Sequence, residues 1–176
     1  MVKPTPDQKI KLEHLRSIVL DLMQDMEIWN QIDTEGLEQI SLGVLRRNAT
    51  QRHGVTRWKK GVDVSNLIPS DVEEINIHPH LLDEKWNAYA AFVLHHEYIH
   101  ALGFREHDKR FRYLEKSWPG SKAVKHGSEF TEFLRLKNAR WIWECKNCDK
   151  QFPRKKPSRG MYKCRDCSTT LRDKKL

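Results

Sequence analysis

Apolar residues recur three or four positions apart between residues 7 and 29, at Ile10, Leu15, Ile18, Val19, Leu22 and Met26. This spacing predicts an amphipathic helix that starts at Pro6-Asp7 and turns one face to a core. From Ile40 to Trp58 the pattern becomes irregular, with β-branched and basic residues around a turn-like His53-Gly54, and predicts two short strands or a strand and a loop. Glu74-Ile75-Asn76-Ile77-His78 alternates with period two and is stopped by Pro79, which suits an edge strand. From Leu81 the helical period returns, with Trp86, Ala90, Val93, Leu94 and Ala101 as the buried stripe of a helix ending near Gly103. Further helices are expected over about 107–117 and 128–139, with Trp118-Pro119-Gly120 between them, before Trp141-Ile142-Trp143 alternates into a C-terminal module. The sum is an α+β chain with one main domain, 1–139, and a small appendage, 140–176.

The central helix carries His96-Glu97-Tyr98-Ile99-His100. Histidines four positions apart lie one turn apart on the same helix face, so His96 and His100 can hold one metal ion through their imidazoles. Glu97, next to the first ligand, is placed to accept a proton from a water activated there. Two histidines and a glutamate on an otherwise apolar helix are costly unless something binds them. A catalytic zinc takes three protein ligands and leaves a fourth position open. His107 follows Gly103 closely and gives the shorter closure; His126, in His126-Gly127-Ser128-Glu129-Phe130, is the alternative. His95 points about 100° away around the helix, and His14, His53, His78 and His80 have no metal spacing.

All four cysteines fall in two C-x-x-C pairs, Cys145/Cys148 and Cys164/Cys167. Each pair can form a knuckle that offers two thiolates, and four thiolates make a closed, structural zinc site. A module with so little core, Ile142, Phe152, Tyr162 and Leu171, takes much of its folding free energy from the metal. Charge is concentrated in the same place. The chain has a net charge of +8, yet from Arg135 onward 14 Lys+Arg face 4 Asp+Glu, so the preceding residues are slightly acidic. The loop Arg154-Lys155-Lys156-Pro157-Ser158-Arg159-Gly160, flanked by Trp141, Trp143 and Tyr162, fits contact with phosphates and stacking on unpaired bases of DNA.

In the order of these parts the chain resembles the SprT-like family of zinc metallopeptidases (SprT/Spartan type, with a C-terminal zinc ribbon). The resemblance rests on His96-Glu97-x-x-His100, on Ile75-Asn76-Ile77-His78-Pro79-His80-Leu81-Leu82, and on the paired C-x-x-C motifs. The family's third ligand opens an H-G-x-x-F/W-like stretch, which His126-Gly127-Ser128-Glu129-Phe130 matches throughout and His107-Asp108-Lys109-Arg110-Phe111 matches without the glycine. Motif similarity therefore points to His126 and spacing to His107. The resemblance implies a minigluzincin-like fold, with a small antiparallel sheet packed on the active-site helix. It also implies hydrolysis of proteins associated with DNA, DNA–protein crosslinks among them, by Glu97 with one catalytic and one structural Zn2+. A non-catalytic DNA-binding or transcription-associated zinc protein is the alternative.

Composition limits the setting. Hydrophobic residues make up 38% and charged residues 32%, and the longest apolar run, Tyr89 to Leu94, is far short of a bilayer span. The first residues show no apolar signal core, so a cytoplasmic protein, or a nucleoid or nuclear one where it meets DNA, is expected. Sequence offers no basis for an oligomeric state.

Overall fold

The computed structural model describes residues 2–120 and 123–176. The chain forms two compact units, Met1–Gly127 and Ser128–Leu176, so the division falls inside the last helix rather than after residue 139.

In the first unit, helix α1 (Pro6–Gln24) opens on a reciprocal cap: Thr5 Oγ1 accepts from the Gln8 N–H, and the Gln8 side chain accepts from the Thr5 N–H. It buries Leu12, Leu15, Val19 and Met23. Ile10, expected on that face, is 71% exposed, and Ile18 lies at its margin. Apolar residues on this helix outnumber the positions its neighbour can cover, so spacing alone selects a stripe rotated away from the buried one. The helix stops at Gln24, and a separate 3-10 turn, Glu27–Trp29, carries Trp29 into the core.

Strands β1 (Leu42–Val44), β2 (Gly54–Trp58) and β3 (Val72–Ile77) form a sheet in the order β1-β3-β2. β3 pairs parallel with β1 and antiparallel with β2. The sheet is therefore mixed, not antiparallel, and the strand expected at an edge is central. Pro79 misleads because it stands beyond the last ladder residue, in the 3-10 turn Pro79–Leu82, where its missing N–H removes no sheet bond. Leu81 belongs to that turn, and Trp86 precedes the central helix α2 (Asn87–Ala101) at partial exposure. α1 and α2 pack on each other and on the sheet. Ile75 and Ile77 are fully buried on β3, and register places Thr56 and Gly54 of β2 opposite them. Helices α3 (Lys109–Lys116) and α4 (Ala123–Lys137) follow.

The second unit holds the sheet β5-β4-β6, built from β4 (Trp141–Glu144), β5 (Gln151–Arg154) and β6 (Arg172–Lys175), all antiparallel. Cys145, Cys164 and Leu171 form its buried centre, with Phe152 and Trp143 packed against it, and Ile142 is buried as well. Tyr162, expected inside, is 48% exposed and stacks on Trp143 with ring centroids 4.5 Å apart.

One buried histidine explains how β3 is joined to the turn before α2. His78 Nε2–H donates to the Ala49 carbonyl (3.2 Å) while Nδ1 accepts from the His80 N–H (3.2 Å), which uses both nitrogens of the neutral ring. Burial, reinforced by His80, brings its pKa down to about 4. An unfolded histidine titrates near 6.5, so below that pH unfolding takes up a proton that the folded ring refuses. Stability contributed by the neutral ring is complete above about 6.5 and is lost as pH falls toward 4. Urea unfolding of the metal-loaded protein between pH 7.5 and 4.5 is expected to show a midpoint that falls with acidification, and His78→Gln should be less stable at pH 7.5 with a shallower decline. An equal pH slope in the two proteins would exclude His78 as its source.

Candidate metal centres

Ring donors of His96, His100 and His107 all lie within 4.8 Å of one another and could hold a metal ion. α2 supplies the first two from adjacent turns. It then ends at Ala101 with Leu102 as its cap, and Gly103 at φ +90 turns the chain back. A Cβ at Gly103 would lie 2.7 Å from the Leu67 carbonyl oxygen, so both the backbone angle and the space require glycine. Asp108 then caps α3 by accepting from the Phe111 N–H (2.8 Å), with His107 just before the cap. Phe111 is completely buried, with its centroid 4.9, 4.7 and 4.6 Å from the rings of His96, His100 and His107. It is the packing surface on which all three imidazoles rest.

Hydrogen bonds choose the nitrogen that faces the centre. His96 Nδ1–H donates to Glu115 Oε1 (2.7 Å), and His100 Nδ1–H to the Phe104 carbonyl (2.8 Å), which leaves Nε2 of each ring as the lone-pair donor. Burial lowers the pKa of His100 to about 4 and also lowers that of His107, so both rings are neutral at pH 7. His100 Nε2 and His107 Nε2 stand 3.1 Å apart. That separation suits a shared cation, since tetrahedral metal–imidazole bonds of about 2.0–2.1 Å place neighbouring nitrogens about 3.3 Å apart. The donor set fits a metal ion. Glu115, on α3, is held in turn by Arg112 Nη1 at 2.7 Å. Burial alone would raise Glu115, but the hydrogen bonds from His96 and Arg112 bring its pKa down to about 2, so it remains an acceptor for His96.

Glu97 is 5% exposed and lies in the cleft that His96 lines. Thr56 Oγ1 donates to Glu97 Oε2 (2.8 Å), with the Glu97 carbonyl oxygen at 3.0 Å. Burial raises the Glu97 pKa, while His96 and the Thr56 bonds oppose that shift. Gly54 permits the approach: a Cβ there would lie 2.6 Å from Glu97 Oε1 and 2.8 Å from Val93 Cγ1. Thr56, Gly54, Glu115 and Arg112 carry no motif and were invisible to spacing. The only sequence signal was the turn-like His53-Gly54. His126 lies outside the three-histidine group, with its ring 6.2 Å from that of Tyr89. His95 is fully buried between Trp29 and Trp118, away from the donors. His53, which spacing left without a role, lines the cleft and bonds Tyr89 Oη at 2.7 Å.

In the second unit, the sulfurs of Cys145, Cys148, Cys164 and Cys167 also converge within 4.8 Å and could hold a metal ion. Pairs stand at 3.3, 3.6 and 3.9 Å, against about 3.8 Å for tetrahedral metal–thiolate bonds of about 2.3 Å. The two knuckles are built alike: the Cys145 N–H donates to Lys150 O and the Cys164 N–H to Thr169 O, and Asp149 and Ser168 take positive φ. Lys155, Lys156 and Arg159 are exposed on the following loop, whose turn is fixed by Asp173 accepting from the Ser158 and Arg159 N–H groups. Arg154 is only partly exposed, because its guanidinium lies over Trp143 at 4.9 Å. Trp143 Nε1 donates to the Lys156 carbonyl, which ties this stack to the basic loop.

Removing the carboxylate behind His96 tests the arrangement. Glu115→Gln should weaken metal binding at the histidine centre about 10- to 100-fold in a chelator competition while leaving the cysteine centre loaded. Unchanged affinity would show that Glu115 does not orient His96. Comparison with family models, curated proteins and solved structures finds no match to this chain.

Proposed function

We propose that the chain is a zinc-dependent endopeptidase with a minigluzincin-like catalytic unit, acting on DNA-associated proteins, DNA–protein crosslinks among them. The observation that carries this reading is the juxtaposition of Glu97, buried and bonded by Thr56, with three converging imidazoles, two of which have their outer nitrogens already committed. A purely structural metal site has no use for a buried carboxylate beside it, and burying one costs free energy.

When bound at His96, His100 and His107, zinc supplies Lewis acidity and lowers the pKa of an attacking water. Thr56 fixes Glu97 Oε2, so Oε1 is the atom that takes the proton of the attacking water and returns it to the leaving amine. Burial favours the protonated carboxyl and so makes Glu97 a stronger base. Among the described strands β2 pairs only with β3, so its outer edge can receive an extended peptide through backbone hydrogen bonds. That peptide would pass beside Gly54 and Thr56, next to Glu97. The four cysteines would hold a second, structural zinc.

The DNA component rests on the second unit. Exposed Lys155, Lys156 and Arg159 adjoin a preformed Arg154–Trp143–Tyr162 stack, a combination suited to phosphates and to unpaired bases. Among the described residues no helix is long and apolar enough to cross a membrane.

Glu97→Gln should abolish degradation of casein or histones, assayed with added single-stranded DNA, while both metal ions remain bound. Proteolysis that survives in this variant would refute the mechanism. A parent protein that binds DNA but degrades neither substrate would leave the non-catalytic DNA-binding reading in its place. For the loop, replacing Lys155, Lys156 and Arg159 by alanine should make the slope of log affinity against log salt shallower by about 2, at about 0.7 per lost phosphate contact. An unchanged slope would remove the loop from the DNA interface.

A further inference from the structure

The cleft beside the three-histidine centre extends well beyond the ligands. Its volume is about 390 Å³, and it runs along one face of α2, where Tyr89, Val93 and His96 stand at i, i+4 and i+7. At the end away from His100 the wall is aromatic: Tyr89 and Phe92 have near-parallel rings (16°) with centroids 6.2 Å apart. Two glycines keep this end hollow. A Cβ on Gly127 would stand 3.0 Å from Tyr89 Oη, and one on Gly54 would meet Glu97 and Val93.

We propose that the recess bounded by Tyr89, Phe92, Val93, Gly54 and Gly127 is a specificity pocket that takes a planar aromatic side chain from the substrate residue beside the scissile bond. This deepens the peptidase reading and rests on it. Three features select that chemistry. Aromatic walls reward another ring through offset or edge contacts in addition to apolar burial. The hydrogen bond between His53 Nδ1 and Tyr89 Oη closes the end of the recess with uncharged polar groups: burial lowers the pKa of His53 and raises that of Tyr89 to about 12. The cationic residues Arg52 and Arg112 are exposed at the mouth, where they face solvent. An Asp or Glu side chain would lose hydration inside and meet the like-charged Glu97 and a Glu115 already paired with Arg112, whereas a tyrosine or phenylalanine ring would not.

The test uses the full-length, metal-loaded protein and quenched peptides that differ only at the residues flanking the cleaved bond. Phenylalanine or tyrosine at one flank should raise kcat/KM over alanine on the order of 10- to 100-fold. Phe92→Leu and, independently, Gly127→Ala should each shrink that ratio several-fold, with metal content and thermal midpoint measured alongside. A parent enzyme that cleaves without aromatic preference, or variants that keep the full ratio, would overturn the pocket. A second readout separates this inference from the peptidase reading: affinity of the same peptides for the Glu97→Gln protein by fluorescence anisotropy. Tighter binding of aromatic peptides without cleavage by the parent would keep the pocket and sink the peptidase; equal binding of all peptides would sink the pocket.

Discussion

Three imidazoles packed on one buried phenyl ring set the terms for the rest of the first unit. Phe111 contacts His96, His100 and His107 at nearly equal distances, and such a convergence exists only if α2 and α3 meet at a fixed angle. That angle depends on a tight reversal at Gly103, on the Asp108 cap that starts α3 directly after His107, and on apolar contacts that bury Tyr98, Ile99 and Ala101 on the far side of α2. The three rings, two half-buried and that of His107 exposed, can stand together because their nitrogens have something to face. Glu115 and the Phe104 carbonyl take the outer protons of two of them, and the remaining lone pairs face one point. The Nε2 atoms of His100 and His107, 3.1 Å apart, are close enough to share one ion or one proton.

Glu97 lives under a different constraint. Burial disfavours its charge, while Thr56 and the neighbouring His96 favour it. A carboxylate balanced in this way can exchange a proton, which one locked in a full ion pair cannot; Glu115, held well below its ordinary range by His96 and Arg112, shows the contrast within one cleft. The two carboxylates therefore divide the work by environment rather than by residue type. Gly54 enters through the same logic. A side chain at that position would collide with Glu97 and Val93, so only glycine lets the strand lie this close to the carboxylate.

The candidate ligand pairs on α2 and in the knuckles were legible because metal chemistry imposes a short, local spacing: four residues for a helix turn, three for a knuckle. For a third histidine, the glycine-ended helix and brief loop favoured His107 and motif similarity favoured His126; His107 is the one whose ring lies in the group. What spacing could not reach was anything brought in from another element. Glu115 meets His96 across a helix–helix contact, and Thr56 meets Glu97 from a strand far away in the chain. The mixed sheet was hidden for a related reason: β1 is three residues long and pairs with β3 across a long connection, so no local pattern announces a parallel neighbour. The α1 face was misphased because Ile10 and Ile18 continue the apolar spacing beyond the buried stripe of Leu12, Leu15, Val19 and Met23, and only the packing partner decides which of these residues are covered.

The two candidate metal centres differ in the number of donors, and that difference bears on what each can do. Four thiolates complete a tetrahedral shell, so an ion held by the cysteines has no position left for another ligand. Its contribution would be to the folding of a small unit whose buried centre consists of Cys145, Cys164 and Leu171. Three imidazoles leave a shell incomplete, beside a buried carboxylate and at one end of a cleft. On the proposed reading, the closed centre fixes the basic loop and its aromatic stack, and the open one supplies the chemistry.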